Sequence, residues 1–385
     1  MQAIVSNTMD SPLDKLHKRL GWLRHDPDNT GLYRECANLA LALKQFDVLF
    51  ALATQALARN PTDTALLFDR ANAEMGQRDY RAALTSLAGI EPVTDEQRSA
   101  IASNQAVCHY CLSEYEQALP LLLGEYQRGQ RGAESLFMLV RASHHVGQLD
   151  EAVAIAKDNA EAGGQHALLA GAYALMFLDA GDAGAAARWS AIALRLDPRS
   201  IDGAITEGTL AVMRVQIDRA QRHFDAVLEA APENGRAWLG LGTLAMLQQD
   251  LKQATQLFQR ALQYMPTFVG GWHMLGWARL MQRDLEASEQ SLNHALTLDR
   301  NFAETHGALA ALDAIKGDIA SATQRLAVAK RLDPRSLSTQ FAAALLEDPT
   351  LKNAQSQHII QQTLLKMASE GGSALGKMLI QRPKR

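Results

Sequence analysis

Apolar and small residues recur along this chain at helical spacing. In residues 235–268 they occupy positions 4, 7, 8 and 11 of the segment and then positions 20, 24 and 27. Residues three and four apart lie on one face of an α-helix, so each set predicts one amphipathic helix. Few runs of β-branched residues occur, and no strands are expected. The pattern therefore predicts two helices joined by a short turn, which we call a helical hairpin.

The hairpin recurs with a period of 34 residues, which separates Trp238 from Trp272 and Gly242 from Gly276. An internal repeat of this length indicates an array in which each hairpin buries its apolar face against the next. The period places repeats 1 to 9, numbered in chain order, near residues 30–63, 64–97, 99–132, 133–166, 167–200, 201–234, 235–268, 269–302 and 303–336.

One full period reads Trp238-x2-Leu241-Gly242-x2-Ala245, then Ala254-x3-Phe258, Ala261 and Pro266. This string resembles the tetratricopeptide repeat, and only Ala245 departs from the tyrosine that is usual in the family. The resemblance covers about four fifths of the chain. It implies an all-α fold, a right-handed α-solenoid of about nine helix-turn-helix repeats with capping helices at both ends.

The segments outside the array are assigned to its two ends. Residues 1–11 are expected to form a flexible N-terminus, and residues 12–29 an N-terminal capping helix. Residues 337–385 are expected to hold C-terminal capping helices and a basic tail. Apolar residues at helical spacing in both segments would cover the exposed faces of the first and last repeats. They are Leu13, Leu16, Leu20 and Leu23 at one end and Ile359, Ile360, Leu364 and Leu365 at the other.

The pattern also predicts different roles for the two tryptophans of repeat 8. Trp272 shares a helical stripe with Gly276 and is expected in the core. Trp277 lies about 140° further round the same helix and is expected to face solvent. In repeat 7, Gly242 is expected to touch Ala254, because small residues let paired helices approach closely.

The family resemblance implies that positions 2, 5, 9, 12 and 13 line the concave side of a superhelix, which we call the concave groove. In this family the groove usually receives a peptide or an amphipathic helix of a partner. Exposed Trp and Met side chains are typical partner anchors; burial of Trp277 by neighbouring repeats or by the chain's own terminus is the alternative. The apolar candidates are Ile205, Met213, Leu239, Met246, Leu247, His273, Trp277, Leu280 and Met281.

The first repeats offer a second, polar set of groove residues, namely Arg34, Asn38 and Asn72. Arg34 and Asn38 match positions with which co-chaperones clamp an acidic chaperone tail. Asp69 stands where such a clamp has asparagine, and Asn104 where it has a basic residue. A carboxylate clamp is therefore not expected.

A Cys/His cluster, defined as Cys108, Cys111, His144 and His145, supports an alternative function. Cys111 and His145 hold the same position in neighbouring repeats, so stacking would bring them to adjacent helical turns. A metal or small molecule bound there would make the protein a regulatory or enzyme-associated module. Because Cys-x2-Cys on a helix turns its side chains only partly together, packing is expected and no bound metal.

No set of residues has the spacing of a catalytic site. Gly240-Leu-Gly242 copies part of a dinucleotide fingerprint, but it lies within a helix and follows no strand. Gly371 to Lys377 resembles a phosphate loop, with Met378 where a hydroxyl residue is needed. The protein is therefore expected to be no enzyme and to need no cofactor.

Composition narrows the partners and the compartment. Hydrophobic residues make up 47% of the chain, and the net charge of −4 is modest and dispersed, which argues against a nucleic-acid surface. The start, MQAIVSNTMD, lacks the basic region and the long apolar run that are typical of an export signal. No stretch approaches 18 consecutive apolar residues, so membrane insertion is not expected. Three cysteines fit a reducing compartment. A cytoplasmic location is expected.

These observations predict a non-catalytic scaffold or adaptor that binds a protein or peptide partner in its concave groove. The Ala-, Leu- and Gln-rich style is similar to that of bacterial repeat proteins that assemble secretion, pilus or surface-polysaccharide machinery. That similarity suggests a role in one of these assemblies.

Overall fold

A computed structural model describes residues 11–348, which form helices and turns and no strand. The predicted basic tail and the apolar residues from Ile359 to Leu365 lie outside these residues. The chain divides after Arg131 into two compact units, and each is described by itself. The prediction of an all-α solenoid built from helical repeats is confirmed.

Unit 1 contains the first seven helices. They are α1 (Pro12–His25), α2 (Thr30–Ala42), α3 (Phe46–Leu57), α4 (Thr64–Gly76), α5 (Tyr80–Ala88), α6 (Asp95–Cys111) and α7 (Tyr115–Gln127). Ser11 and Asp14 form a capping box that starts α1. Leu16 and Leu23 of α1 are buried in one cluster with Cys36 of α2, so α1 packs on the first hairpin.

Unit 2 contains the remaining helices. They are α8 (Ala133–Val146), α9 (Leu149–Asp158), α10 (Ala160–Gln165), α11 (Ala167–Asp179), α12 (Ala183–Leu196), α13 (Ile201–Met213), α14 (Ile217–Ala230), α15 (Gly235–Leu247), α16 (Leu251–Tyr264), α17 (Val269–Met281), α18 (Leu285–Leu298), α19 (Ala303–Lys316), α20 (Ile319–Leu332) and α21 (Leu337–Glu347). The short α10 takes the place of the turn that ends the other repeats.

The first helices of the repeats in unit 2 form an inner layer, and the second helices form an outer layer. In the inner layer, α11 is buried on every side from Leu169 to Asp179. In the outer layer, α16 buries one face, which carries Ala254, Phe258 and Ala261. A helix that is buried all round must be covered from several directions, so the inner layer is the core of unit 2.

Each hairpin turns at a residue with left-handed backbone that is always the fifteenth of its repeat. In three repeats this residue is Gly147, Gly181 or Gly317. In the other six it is Lys44, Arg78, Ser113, Val215, Gln249 or Arg283. Glycine adopts a positive φ without strain, whereas a β-branched residue such as Val215 (φ 56°) does not. The geometry of the turn is therefore imposed by the helices that it connects.

Glycine at position 8 makes room for the side chain at position 24 of the same repeat. A Cβ on Gly242 would lie 2.6 Å from the ring of Phe258, which is nearer than the predicted neighbour Ala254. A Cβ on Gly208 would lie 2.7 Å from the ring of Phe224. The space beside the glycine is thus filled from the second helix and not by the tryptophan at position 4.

Trp272, at position 4, is half-buried. Its indole N–H donates to the carbonyl of Pro266 at 2.8 Å, and its ring packs on His294 with the centroids 4.2 Å apart. Trp238 donates in the same way to the carbonyl of Pro232, also at 2.8 Å. The prediction that Trp272 fills the core is therefore wrong, because rings at position 4 fasten the turn that precedes their own helix.

Replacing Gly242 by alanine is expected to lower the free energy of unfolding, because the new Cβ overlaps the Phe258 ring. Overpacking of this kind costs about 1–3 kcal/mol, and the loss should concentrate in neighbouring repeats. The matched change Gly21→Ala in α1 meets no atom within 4 Å and should be neutral or stabilising. Denaturant unfolding and hydrogen exchange measure both changes; equal effects of the two, or uniform loss of protection, would contradict this packing.

Candidate functional site

The nine apolar groove candidates belong to the inner layer of unit 2. Two of them, Met213 and Leu247, are half-buried. The others are buried, namely Ile205, Leu239, Met246, His273, Trp277, Leu280 and Met281. Only 7% of Trp277 is exposed. The prediction that Trp277 and its neighbours face solvent is therefore wrong.

Trp277 is buried by a helix that lies two repeats further along the chain. Its indole N–H donates to Ser338 Oγ at 3.2 Å, and its ring meets the edge of Phe341 with the centroids 5.4 Å apart. Both partners belong to α21, the first helix after repeat 9. The contact joins position 9 of repeat 8 to position 2 of the segment that begins at Leu337.

Glu304 and Gly307 of α19 hold α21 in this place. The Glu304 carboxylate accepts hydrogen bonds from the backbone N–H groups of Leu337 at 3.1 Å and Ser338 at 3.0 Å, and so caps α21. A Cβ at Gly307 would lie 2.4 Å from the backbone nitrogen of Thr339, so no larger residue fits. Burial raises the pKa of Glu304. Of the alternatives, burial of Trp277 by neighbouring elements of the same chain is the one observed.

Repeats 4 and 6 are joined by a charged form of the same contact. Arg141, at position 9 of repeat 4, places Nη1 3.3 Å from Oδ2 of Asp202, at position 2 of repeat 6. Both side chains are 23% exposed, so the pair is partly screened by water. The inner-layer helices of repeats 4 and 6 therefore approach each other although repeat 5 lies between them in sequence.

Asp179 of repeat 5 connects repeats 4 and 7. Its carboxylate oxygens lie 3.1 and 2.5 Å from the two Arg236 Nη atoms, and Oδ2 is also 2.8 Å from His144 Nε2. Burial alone would raise the pKa of Asp179, but the charge of Arg236 and the hydrogen bonds outweigh burial and lower it. A fully buried carboxylate is thus kept ionised by a bidentate partner.

The four residues of the Cys/His cluster are used in different ways. Cys108 is buried, and burial raises its pKa to about 12, whereas Cys111 is exposed. His144 is engaged with Asp179. Desolvation together with the charge of the nearby Arg141 lowers the pKa of His145 to about 4, although the residue as a whole is exposed. Within residues 11–348, no three His, Cys, Asp or Glu side chains are arranged to hold a metal ion.

The polar groove candidates lie on first helices of unit 1. Arg34 and Asn38 are exposed, and Asn72 is half-buried. The Asn104 Nδ2 group donates to Asn72 Oδ1 at 2.9 Å. In sequence Asn104 is only a poor match to a clamp. Its pairing with Asn72 joins position 6 to position 9 across repeats, and a contact of that kind leaves no pattern in the sequence. We call Asn38, Asn72 and Asn104 the amide row.

Family models of the tetratricopeptide repeat match residues 205–266 and 269–302. These residues are repeats 6 to 8, whose hairpins are described above. The chain contains tetratricopeptide repeats. No curated protein matches its sequence.

Several solved structures are similar to this tetratricopeptide-repeat protein at low sequence identity. A tetratricopeptide repeat protein from Parabacteroides merdae is 14% identical, with a TM-score of 0.46 over 66% of this chain and 100% of its own. The Pseudomonas aeruginosa protein pilF is 18% identical, with a TM-score of 0.43 over 55% of this chain and 96% of its own. Yeast Tom70 is 15% identical, with a TM-score of 0.40 over 96% of this chain and 90% of its own.

Tetratricopeptide repeats in general form scaffolds that bind protein or peptide partners, and this protein is a scaffold in that general sense. None of the helices between residues 11 and 348 is both long and apolar enough to cross a membrane.

Trp277→Glu is expected to destabilise this tetratricopeptide-repeat protein strongly, because it puts a charge where a buried ring contacts α21. Loss of a buried aromatic side chain costs about 3–5 kcal/mol, and an unpaired buried charge adds to this. Trp272→Glu, at a half-buried ring in the same helix, should cost less. Denaturant unfolding followed by circular dichroism compares the two variants. A Trp277→Glu protein as stable as the parent would show that Trp277 faces solvent after all.

His273 makes stability depend on pH. It is fully buried, Nδ1 is 3.5 Å from the Thr305 hydroxyl, and Nε2 has no hydrogen-bond partner within residues 11–348. Burial lowers its pKa from 6.5 to about 3. The unfolded chain therefore binds this proton more tightly, and the stability present above pH 6.5 is lost progressively as the pH falls towards 3.

We therefore expect His273→Leu to reduce the loss of unfolding free energy between pH 7 and pH 5 by about 2 kcal/mol. His145 also has a lowered pKa and contributes to the remaining slope. Urea unfolding at the two pH values measures the difference between parent and variant. Identical slopes for the two proteins would show that His273 is not protonated on unfolding in this range.

Proposed function

We propose that the protein is a non-catalytic scaffold whose amide row binds an extended segment of a protein partner. The observation that carries the proposal is that Asn38 is exposed and Asn72 half-buried at the same position of consecutive repeats. A carboxamide both donates and accepts hydrogen bonds, which matches the two groups of a peptide bond. Asn104, paired with Asn72 at 2.9 Å, continues the row onto α6.

The residues beside the amide row suit the side chains of such a segment. Leu41, at position 12 of repeat 1, is 40% exposed, and Met75, at position 12 of repeat 2, is partly exposed. Apolar side chains at this spacing can cover those of a bound peptide. Arg34 is exposed at position 5 and can donate to an acidic side chain. The binding mode combines main-chain hydrogen bonds with apolar contacts to side chains.

The inner layer of unit 2 is a poorer candidate, because its apolar residues already contact each other. A partner helix would have to displace the contact of Trp277 with Ser338 and Phe341. The predicted roles of Ile205, Met213 and the other apolar candidates as partner anchors therefore give way to the amide row in our proposal. A role in a secretion, pilus or surface-polysaccharide assembly stays a prediction.

A site-specific photo-crosslinker tests this assignment. p-Benzoylphenylalanine placed at Asn38 is expected to crosslink a partner in the native cell, because this side chain is exposed on the proposed surface. p-Benzoylphenylalanine placed at Glu116, which is exposed on α7, serves as the control. Mass spectrometry identifies the crosslinked protein. Equal crosslinking from Glu116 and from Asn38 would contradict the assignment. Efficient crosslinking from Leu168 of α11 combined with no crosslinking from Asn38 would also contradict it.

The identified partner then allows the amides to be tested directly. Asn38→Ala combined with Asn72→Ala is expected to weaken binding about tenfold or more, because each lost hydrogen bond contributes roughly 0.5–1.5 kcal/mol. Binding is measured by calorimetry, with circular dichroism to show that the fold is retained. A folded double variant with parental affinity would place the partner on another surface.

A further inference from the structure

A cleft of about 570 Å³ opens between α6 and α7 of unit 1. Its apolar lining includes Ile101, Ala102 and Leu121 together with two prolines, and the partly exposed Arg98 and Arg128 also border it. Its volume falls within the range of about 300–1,000 Å³ that is usual for ligand pockets. Neither the amide row nor any other part of the proposed function uses this cleft.

The repeat positions that line the cleft are used elsewhere in the chain to hold a tryptophan. In repeat 8, Trp272 at position 4 packs on His294 at position 26, with the ring centroids 4.2 Å apart. In repeat 7, Trp238 at position 4 lies under Arg260 at position 26, whose Cζ is 5.9 Å from the ring centroid. Positions 4 and 26 therefore form the two sides of one slot in each of these two hairpins.

In unit 1, positions 4 and 26 also lie next to each other, but in repeat 3 neither position carries a large side chain. In repeat 2, Leu67 at position 4 lies 3.7 Å from where a Cβ on Gly89, at position 26, would stand. In repeat 3 these positions are Ala102 and Gly124, and both line the cleft. A Cβ on Gly124 would meet only the guanidinium of Arg128, at 3.6 Å and beyond. The cleft therefore lies at the repeat positions that hold an indole in repeats 7 and 8.

We propose that this cleft binds a tryptophan side chain supplied by a partner polypeptide. The occupant follows from the chain itself, which fills the equivalent slot with indole twice, and from the two small residues that open the slot in repeat 3. A buried tryptophan covers about 150–250 Å² and is a frequent anchor at protein interfaces. The cleft has room for the indole and for part of the adjoining backbone.

The arginines at the edge provide a second reason for an aromatic occupant. Arg98 is paired with Asp95 at 2.7 Å, and Arg128 is paired with Glu125, so the edge carries no excess positive charge that would favour an anion. Guanidinium groups of this chain already stack on rings. Arg131 lies 3.4 Å from the ring centroid of Tyr126, and Arg260 covers Trp238. Arg98 and Arg128 can cover an incoming indole in the same manner.

N-Acetyl-L-tryptophanamide is the probe for this site, and N-acetyl-L-leucinamide is its control. NMR of the full chain is expected to show saturable shifts at Ala102, Leu121 and Gly124 with the tryptophan probe. The leucine probe should bind at least tenfold more weakly. Absence of saturable shifts in the cleft, or equal binding of the two probes, would overturn the proposal.

Variants separate the cleft from the rest of the protein. Ala102→Trp fills the slot from α6 and is expected to abolish probe binding and to raise the melting temperature. Ala51→Trp adds the same side chain at an exposed position of α3 and should leave binding unchanged. If Ala102→Trp does not fold, Gly124→Leu closes the slot from α7. Retained binding in a folded, slot-filled variant would overturn the proposal.

The amide-row variant Asn38→Ala with Asn72→Ala is expected to bind the tryptophan probe as the parent does. This control keeps the two proposals apart, because failure of the amide row leaves the probe result unchanged. Loss of the probe shifts in the folded amide-row variant would show that the probe binds at the amide row. That result would overturn the assignment to the cleft.

Discussion

The structure of unit 2 depends on contacts between inner-layer helices that lie two repeats apart. Trp277 meets Ser338, Arg141 meets Asp202, and Asp179 meets Arg236 in this way. The first two pairs join position 9 to position 2, so one geometry serves an apolar and a charged contact. Because of this contact, residues that would line an open groove in a loosely wound array become core.

Small residues in the inner layer let consecutive helices approach closely, and charged residues give the layer a defined register. Gly307 leaves space for the backbone of Thr339, which no side chain would permit. Asp179 is fully buried and tolerable only while Arg236 compensates its charge. A shift of one residue along either helix would leave a charge without its partner, so the pair selects one arrangement of repeats 5 and 7 among several that apolar contacts alone would allow.

The period of 34 residues and the all-α fold could be predicted from sequence because both depend on contacts within a hairpin or between adjacent hairpins. The exchanged roles of Trp272 and Trp277 could not. Helical periodicity correctly separates the two rings by about 140° but does not say which side another helix will cover. Trp277 is covered by Ser338, 61 residues away, and contacts of that range have no local pattern. The left-handed turn at position 15 could not be predicted for a related reason. The residue at this position changes from Gly181 to Val215, whereas the backbone keeps a positive φ at both.

The same physics explains why the polar repeats keep an accessible surface. A buried side-chain amide without a hydrogen-bond partner costs about 1–3 kcal/mol, so covering the amide row would require a partner for every amide group. Asn72 and Asn104 satisfy each other in part, and Asn38 remains in water. Leucine or alanine at these positions would favour the close winding seen in unit 2. Polar first helices therefore favour a surface that stays accessible to water, and apolar first helices favour a closed core that gives the array its stability.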